Sequence, residues 1–383
     1  MKSFSDFPLS ALLKSNLSKH GFVQPTPIQE LAIEPALAGR DVVATAQTGT
    51  GKTLAFVLPL IHHISSEASQ PGAQSGIRAV ILSPTRELAI QISEVFAKMA
   101  AGSGIRAAVA VGGLSERVQL QAIRKGAQVL IATPGRLFDF LGRRLVNLSH
   151  VRTLVLDEAD RMLDMGFVPT VTKIMAAMPS DRQTLLFSAT IQSSVKHLVQ
   201  THVRNAVRVE AGDTTQPIAK IELHLYEVEQ DCKLGLLENM LRKEPGSFLV
   251  FARTKHGADK LSKKLARGGV NTAVIHGNRS QSQRIHALRG FQEGDYRVLV
   301  ATDVAARGIH VEGISHVVNY DLPQVPEDFI HRVGRTGRAG ASGTASTFAT
   351  RSERSQIAHI ERKLDAKLMR RTLLQSTKLQ STN

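Results

Sequence analysis

A glycine-rich stretch that ends in a lysine and a threonine is the strongest chemical signal in this sequence. It reads DVVATAQTGTGKT over residues 41–53 and leads from an apolar run into the helical pattern LAFVLPL. This order suits a nucleotide, because small residues let backbone N–H groups approach phosphate at the positive end of a helix. Lys52 would reach the terminal phosphates, and the Thr53 hydroxyl would face Mg²⁺. The residues predicted to line the site are Thr48, Gly49, Thr50, Gly51, Lys52 and Thr53.

One position departs from the general G-x-x-x-x-G-K-[ST] pattern, since Ala46 stands where the first glycine would be. Alanine is small enough to keep the turn. The alternative interpretation is an ordinary glycine-rich connection between a strand and a helix.

An acidic cluster is the second signal, with Asp157, Glu158 and Asp160 directly after the apolar run TLVL. A carboxylate at a strand tip beside a phosphate loop can complete a Mg²⁺ site, and its neighbour can orient or deprotonate the attacking water. Acidic clusters are more often solvated turns, but the apolar run buries this strand. We therefore predict half of a Mg²⁺ site here, with Glu158 beside the water.

Three more strand ends carry groups that bind phosphate. Each puts a hydroxyl, a glycine or an arginine where a helix begins, and helix N-termini of this kind are common phosphate ligands. Taken singly, each is a normal capped helix start, but three on one sheet edge predict a track for a nucleic-acid backbone. The residues are Pro84, Thr85, Arg86, Gly112, Gly113, Thr133, Pro134, Gly135 and Arg136.

The second half of the chain contributes arginines at three-residue spacing, Arg332, Arg335 and Arg338. This spacing places them on one helical face or its lead-in turn. They can reach a phosphate held by another domain only if the two domains close, which is the geometry of an arginine finger. A basic helix face for nucleic acid is the alternative, and both can hold for different arginines.

Charge indicates the class of partner. Lys and Arg number 48 against 33 Asp and Glu, so the formal net charge is +15, which favours a polyanion. Membrane is disfavoured, since no apolar run approaches the roughly 20 residues of a spanning helix, and the N-terminus lacks the apolar core of a secretion signal. Aromatic residues make up 4% of the chain, with no Trp, which favours backbone contact over base stacking. The single cysteine, Cys232, suits a reducing compartment, and we expect a cytoplasmic protein.

These residues must be positioned by short β-rich runs that alternate with helix-length segments. Runs that are apolar throughout indicate an α/β fold with a parallel sheet covered on both faces. The segment VEAGDTTQP at 209–217 reads as a linker, after which the alternation restarts. We predict two similar domains at 1–209 and 218–372, a linker at 210–217 and a polar tail at 373–383. Ligands should bind at the carboxyl ends of the strands.

Gln29 lies in the segment GFVQPTPIQ, near the start of the chain. A glutamine can pair with both the N6 donor and the N7 acceptor of adenine. The segment also reads as a proline-assisted helix start capped by Thr26. Both interpretations stay open on the residues alone.

Eight motifs in this order resemble the DEAD-box ATP-dependent RNA helicases of superfamily 2, over about residues 4–350. They are GFVQPTPIQ, AQTGTGKT, PTRELA, TPGR, DEAD, SAT, ATDVAARG and HRVGRTGR. The segment RMLDMGF and the short length resemble the bacterial RhlE-type branch, which is a less specific likeness. The resemblance implies two tandem RecA-like domains, with ATP and RNA bound across the cleft between them.

In such helicases the ATP site includes several residues beyond the loop. The resemblance implies that Phe4 stacks on adenine and Gln29 reads its edge, while Asp157 holds Mg²⁺ through water. Further implied members of the ATP site are Gly308, His310, His331, Arg335 and Arg338, the last two at the γ-phosphate. Implied coupling residues, between hydrolysis and strand separation, are Asp160, Ser188, Thr190 and Asp303. The hydroxyls of Ser188 and Thr190 could equally cap the next helix.

RNA would be held by its backbone. Besides the first-domain track, the resemblance implies contacts from Gly277, Gln281, Arg284 and Thr302. The family's expected action is local, because it bends one strand of a short duplex and hydrolysis then releases the product. We expect a monomer with ATP and Mg²⁺ as cofactors, and ribonucleoprotein or RNA-decay proteins as further partners.

Two other functions remain open. One is an ATP-driven DNA helicase or translocase on the same tandem fold, which the first 40 residues and the acidic motif disfavour. The other is an ATP-gated RNA clamp without productive turnover, which the presence of Lys52, Glu158 and Arg335 disfavours. The end of the chain, from Arg351, reads as a basic helix and a short polar stretch. That helix either adds nonspecific RNA affinity or packs on the second domain.

His310 replaces the aspartate that this family usually places after ARGI, where it touches the ATP ribose. Neutral imidazole can accept a hydroxyl hydrogen bond, but it has no negative charge and a different reach. We predict that His310→Asp tightens apparent ATP affinity and leaves catalysis intact. Steady-state ATPase measurements over a range of ATP concentrations test this, and an unchanged apparent affinity would contradict it.

Overall fold

The chain forms two compact units, Met1–Thr214 and Thr215–Asn383. The computed structural model describes residues 2–46, 50–68, 76–191, 193–211, 221–306, 313–337 and 343–371. The division between the units falls inside the segment 210–217. Most of that predicted linker, and the polar tail at 373–383, lie outside the described residues.

The first unit is built on a parallel sheet. Among its described residues the sheet has seven strands in the order β3-β4-β2-β5-β6-β1-β7, and every neighbouring pair is parallel. The strands are β1 Val42–Thr45, β2 Ala79–Leu82, β3 Ala107–Ala110, β4 Val129–Ala132, β5 Thr153–Leu156, β6 Gln183–Ser188 and β7 Val207–Glu210.

The second unit repeats this build. Its described residues form a seven-stranded sheet in the order β10-β11-β9-β12-β13-β8-β14, again with parallel neighbours. The strands are β8 Ile221–Glu227, β9 Phe248–Phe251, β10 Thr272–Ile275, β11 Val298–Ala301, β12 His316–Asn319, β13 Gly343–Ala349 and β14 Met369–Arg371. The predicted fold class, two α/β domains with parallel sheets, is confirmed.

Helices connect the strands in both units. In the first they are α1 Ala11–Lys19, α2 Pro27–Leu37, α3 Lys52–Ala68, α4 Arg86–Met99, α5 Glu116–Arg124, α6 Pro134–Gly142, α7 Ala159–Asp164, α8 Val168–Ala176 and α9 Ser193–His202. In the second they are α10 Lys233–Lys243, α11 Lys255–Arg267, α12 Gln281–Glu293, α13 Asp303–Ala306, α14 Pro326–Val333 and α15 Arg354–Leu364. Among the described helices, none has the length and apolar content needed to cross a lipid bilayer.

The strands are apolar because both faces of each sheet are covered. In β1, Val42 and Ala44 belong to one core layer, while Val43 belongs to the layer on the opposite face. Alternate residues of a strand point to opposite faces, so a strand buried on both sides leaves no position for exposed polar groups. Chemistry-bearing side chains must therefore follow the strands, at the carboxyl edge of each sheet.

Two edge strands differ from the sequence-based prediction. Glu210 was assigned to the linker, but it is the last residue of β7, which pairs with β1. The end of the chain was read as a basic helix followed by a polar stretch, and that is wrong for Met369–Arg371, which form β14 beside β8. Exposed basic residues suit an edge strand, where charge discourages pairing with another chain.

The basic helix itself is α15. Its Ile357 and Ile360 are buried in the core of the second unit, at 2% and 1% exposure. Of the two predicted roles for this helix, packing on the second domain is therefore the one that the structure confirms.

Asp41 ties together three segments of the first unit. Its side chain is 7% exposed, and its two oxygens accept from the backbone N–H groups of Thr184, at 2.8 Å, and Arg204, at 2.7 Å. These bonds hold the start of β1 to β6 and to the segment that leads into β7.

We predict that Asp41→Ala lowers the free energy of unfolding of the first unit by about 2–4 kcal/mol, because two N–H donors lose their charged acceptor. Asp41→Asn keeps one acceptor oxygen and should lose about half as much. Urea denaturation measures both variants, and equal stabilities of Asp41→Ala and the wild type would refute the assignment.

Candidate functional site

The phosphate loop ends at Lys52, the first residue of α3. Its side chain is 6% exposed, and its Nζ donates to the carbonyl of Ala46 at 3.0 Å. The lysine therefore lies across the start of the loop, where Ala46 is itself buried. Gly51 has φ +82°, a conformation that favours glycine. Thr48 and Gly49 lie outside the described residues.

Gln29 joins the N-terminal cap of α2 to this loop. Its Oε1 accepts from the Thr26 backbone N–H at 2.8 Å, and its Nε2 donates to the Gly51 carbonyl at 2.8 Å. Thr26 donates through its hydroxyl to the Thr50 carbonyl at 2.7 Å. The capped helix start is confirmed, with Thr26 as N-cap and Pro27 as the first helical residue. A side-chain amide has two donors and a two-lone-pair acceptor, so each end keeps capacity for an adenine edge.

Phe4 gives less support to the predicted adenine contact. Phe4 is 3% exposed and belongs to the apolar core of the first unit. The centroid of its ring lies 6.2 Å from the centroid of the Phe7 ring. Only a small part of its surface is open to a base, so stacking on Phe4 stays a prediction.

The acidic motif is buried at the tip of β5. Burial raises the pKa of Asp157 to about 7, although the nearby charge of Lys52 opposes this shift. Carboxylate and hydroxyl oxygens are the ligands that Mg²⁺ prefers, so Asp157 and Thr53 fit the donor set of the predicted Mg²⁺ site. A bound cation would favour the ionised carboxylate.

Glu158 follows in a strained backbone conformation. Its φ and ψ are +50° and +53°, in the left-handed region that non-glycine residues rarely adopt. Its carboxylate is 3.3 Å from the buried guanidinium of Arg161, one turn along α7. Strain of about 1–3 kcal/mol persists only where the surroundings enforce it, which is typical of functional positions.

Asp160 connects the acidic motif to the segment after β6. Its Oδ2 accepts from the backbone N–H groups of Ala189, at 3.0 Å, and Thr190, at 2.9 Å, and from the Thr190 hydroxyl at 3.1 Å. The Asp160 backbone N–H donates to the Ser188 hydroxyl at 3.2 Å. The structure therefore brings three of the predicted coupling residues into one network. Ser188 and Thr190 both take part in this network through their hydroxyl groups.

The predicted RNA track lies along the same edge of this sheet. Thr85 is the N-cap of α4, and its hydroxyl accepts from the Leu88 N–H at 3.3 Å. The guanidinium of Arg86 lies against the backbone of Gly112 and Gly113, so closely that a Cβ at Gly113 would collide with it. Glycine at 113 therefore leaves room for the guanidinium in this position, and its φ of +77° also favours glycine. Thr133 and Pro134 are buried at the start of α6, and Gly135 is exposed.

Arg136 is already engaged by carboxylates. Its Nη1 is 3.1 Å from Glu116 and 3.4 Å from Asp139, and its guanidinium lies over the Phe140 ring at 5.2 Å. The sequence predicted the arginine but not its acidic partners.

In the second unit, Asp303 is bound by Arg332. The guanidinium donates to both carboxylate oxygens, at 2.5 Å and 2.7 Å, and also to the side-chain oxygen of Asn319 at 3.1 Å. It lies 4.8 Å from the centre of the Phe251 ring. Arg332 is 2% exposed, and because its guanidinium is engaged by Asp303 and Asn319 we interpret it as a structural residue of the second unit.

Arg335 is also 2% exposed, and its Nε donates to the His331 carbonyl at 3.2 Å. It lines a small cavity with Ser315 and Thr336. Gly308, His310 and Arg338 lie outside the described residues.

The predicted RNA contacts of the second unit lie after β10, at the start of α12 and after β11. Gly277 comes directly after β10 and is exposed, and Gln281 and Arg284 lie in the first turn of α12. Thr302 follows β11, and its carbonyl accepts from the Ala305 N–H at 3.0 Å at the start of α13. β10 and β11 are adjacent in the sheet, so these residues share one edge.

Comparison with known proteins identifies the family. Residues 26–198 match the family described as DEAD/DEAH box helicase, and residues 232–340 match the helicase conserved C-terminal domain. The DEAD-box ATP-dependent RNA helicase CshA of Geobacillus kaustophilus is 40% identical over 97% of this chain and 78% of its own length. The chain belongs to the DEAD-box ATP-dependent RNA helicase family.

One more relative and one solved structure are also similar to this DEAD-box protein. The ATP-dependent RNA helicase CshA of Listeria monocytogenes is 42% identical over 87% of the chain, which spans 63% of that relative. The structure of S. cerevisiae Dbp5 bound to RNA and ADP BeF3 has a TM-score of 0.85 and 32% identity, covering 97% of this chain and 96% of that one. The RhlE-type branch stays a prediction.

Four residues have roles in this DEAD-box protein that the sequence analysis did not predict. Thr26 was expected only as a helix cap, yet it also holds the phosphate loop. Arg161 neutralises Glu158, Arg332 secures Asp303, and Glu116 engages Arg136. The sequence signal for Arg332 was its place in HRVGRTGR, but its partner lies 29 residues earlier.

We predict that Arg332→Met lowers the free energy of unfolding of the second unit by about 3–5 kcal/mol, because it leaves the Asp303 carboxylate without its buried partner. Arg332→Met combined with Asp303→Leu removes both charges and should recover part of the loss. Urea denaturation measures the series. A loss below about 1 kcal/mol for Arg332→Met would contradict the prediction, because that is the range of exposed pairs.

Proposed function

We propose that this chain is an RNA-stimulated ATPase that locally unwinds short RNA duplexes through contacts with the RNA backbone. One observation carries the proposal, the network in which Asp160 binds the segment of Ser188 and Thr190. It joins the strand tip that carries Glu158 to a neighbouring loop. Such a connection can transmit the state of a nucleotide to the rest of the domain.

In the proposed reaction, Gln29 selects adenine with the capacity that its cap contacts leave, and Lys52 turns from the Ala46 carbonyl to the terminal phosphates. Mg²⁺, when bound, would neutralise phosphate charge as the leaving group departs. Thr53 and Asp157 would hold it. Glu158 orients or deprotonates the attacking water, and its ion pair with Arg161 fixes its carboxylate in place.

The second unit supplies the remaining groups. We propose that closure of the two units brings Arg335 and Arg338 to the γ-phosphate and His331 into the same network. An arginine that stabilises charge in the transition state contributes about 10³–10⁵ to the rate of related phosphoryl transfers. RNA that contacts both units would favour closure, which explains how RNA stimulates hydrolysis.

RNA is the proposed substrate because its backbone suits the track. The relatives named as RNA helicases and the Dbp5 structure bound to RNA support this assignment. The charge of +15 agrees with a polyanionic partner. We also propose that the protein acts as a cytoplasmic monomer with ribonucleoprotein or RNA-decay partners.

ATPase measurements with single-stranded RNA, and with DNA of the same sequence, test the proposal. We predict stimulation by RNA alone, and a decrease of about 10²–10⁴ in turnover for Glu158→Gln, because loss of a general base has this magnitude. Equal stimulation by DNA would instead favour a DNA translocase. If the wild-type protein binds RNA in a nucleotide-dependent manner but does not hydrolyse ATP, the result would favour an RNA clamp.

Gly113→Ala tests the track directly, because its new Cβ would push the Arg86 guanidinium aside. Gly126→Ala is the matched control, since Gly126 also has positive φ, +89°, but no atom lies within 4 Å of its Cβ position. Both variants should lose about 1 kcal/mol of stability through the left-handed backbone. We predict that only Gly113→Ala weakens binding to single-stranded RNA, measured by fluorescence anisotropy. Equal RNA affinities for the two variants would refute the Arg86 contact.

A further inference from the structure

Four charged side chains form a cluster between α5 and α6 on the RNA track. Glu116 Oε2 accepts from Arg136 Nη1 at 3.1 Å and from Arg143 Nη1 at 2.9 Å, and Glu116 Oε1 accepts from Arg143 Nη2 at 2.6 Å. Asp139 Oδ2 is 3.4 Å from Arg136 Nη1 and 3.3 Å from Arg143 Nη1. Two guanidinium groups thus face two carboxylates, and the cluster has no net charge.

Glu116 binds Arg143 in the manner of a phosphate group, through both carboxylate oxygens. Bidentate pairing of guanidinium with carboxylate and with phosphate uses the same planar fork of N–H donors. Glu116 is the first residue of α5, three residues after Gly113, against which Arg86 lies. The carboxylate therefore sits among the groups that the RNA backbone is proposed to contact.

Arg136 does not depend on Glu116 for its position. The Phe140 ring lies under its guanidinium at 5.2 Å, and Asp139 contacts it from one turn along α6. Two contacts of Arg136, with Phe140 and with Asp139, therefore do not involve Glu116.

The cluster is open to exchange with a ligand. The side chains of Arg136, Glu116, Asp139 and Arg143 are 18%, 33%, 43% and 49% exposed. The hydrogen bond from Arg143 holds the pKa of Glu116 below its usual value, so this carboxylate stays ionised at neutral pH. The bidentate pair is open to solvent, so an RNA phosphate can compete with the Glu116 carboxylate for the same guanidinium donors.

We propose that Glu116 is an internal competitor for RNA phosphate, and that Arg143 is a further RNA-backbone contact which Glu116 masks until RNA arrives. This inference rests on the proposed function and refines it. Glu116 lowers RNA affinity, so that the strand is released readily after hydrolysis. It also sets the range of salt over which the protein binds RNA.

The test uses the full chain, a non-hydrolysable ATP analogue with Mg²⁺, and a fluorescent single-stranded oligouridylate over a series of salt concentrations. Glu116→Gln should bind RNA about two- to fivefold more tightly, since it removes a competing exposed ion pair. Its plot of log affinity against log salt should keep the wild-type slope, because Arg143 contacts the RNA phosphate in both proteins. Arg143→Gln should bind more weakly, with a slope shallower by about 0.7, the value for one phosphate contact on a single strand.

Asp181→Asn is the matched control. Asp181 forms an exposed pair with Arg152 at 2.9 Å, at the opposite edge of the same sheet, and its loss removes the same charge. This variant should bind RNA with the wild-type affinity and the wild-type slope. Glu116→Ala is a second variant of the same position and should change affinity in the same direction as Glu116→Gln, which keeps the test valid if one variant folds poorly.

Three outcomes decide between the proposals. Wild-type protein that fails to bind RNA contradicts the proposed function. Wild-type binding with equal or weaker binding by Glu116→Gln overturns this inference alone, because the carboxylate would then position the arginines. Equal tightening by Glu116→Gln and Asp181→Asn also overturns it, since the effect would be one of net charge.

Discussion

Parallel pairing of the described strands is the constraint on which the rest of the structure depends. Parallel neighbours need a crossover connection, usually a helix, so the described strands of each sheet end at one edge and the helices that directly follow a strand begin there. Helices on both faces make the strands apolar throughout, which moves polar chemistry to the residues that follow them. The phosphate loop, the acidic motif and the proposed RNA contacts are all strand-end segments. Both units repeat the same strand order, so both present their chemistry at the carboxyl edge.

This edge concentrates groups that are costly to bury. Asp157 loses solvation, Glu158 adopts a strained backbone, and Lys52 has 6% exposure. At the same edge, the Asp160 carboxylate accepts hydrogen bonds from Ala189 and Thr190. Each hydrogen bond to a charged carboxylate is worth about 1.5–3 kcal/mol, which offsets these costs. The same bonds join the end of β5 to the end of β6. Stability and the proposed communication between loops thus depend on one side chain, and we expect removal of its charge to affect both.

The fold class and the motif residues could be predicted because each apolar run ends at a distinctive group of residues. The two edge strands could not, since β7 merges into a linker-like segment and β14 has three exposed residues. Contacts between distant residues were also hidden. Glu116 lies 20 residues from Arg136, and Asp303 lies 29 from Arg332, so neither pair is visible as a local pattern. Burial of Phe4 depends on tertiary packing, which no local pattern indicates.

Gln29 closes the first turn of α2, anchors the end of the phosphate loop and is proposed to read adenine. Because one amide group makes all of these contacts, a substitution of Gln29 would affect each of them. A substitution that admits guanine would also release the helix start and loosen the loop, so altered base preference would come with a folding defect. The proposed preference for adenine is thereby tied to the folding of α2 and the phosphate loop.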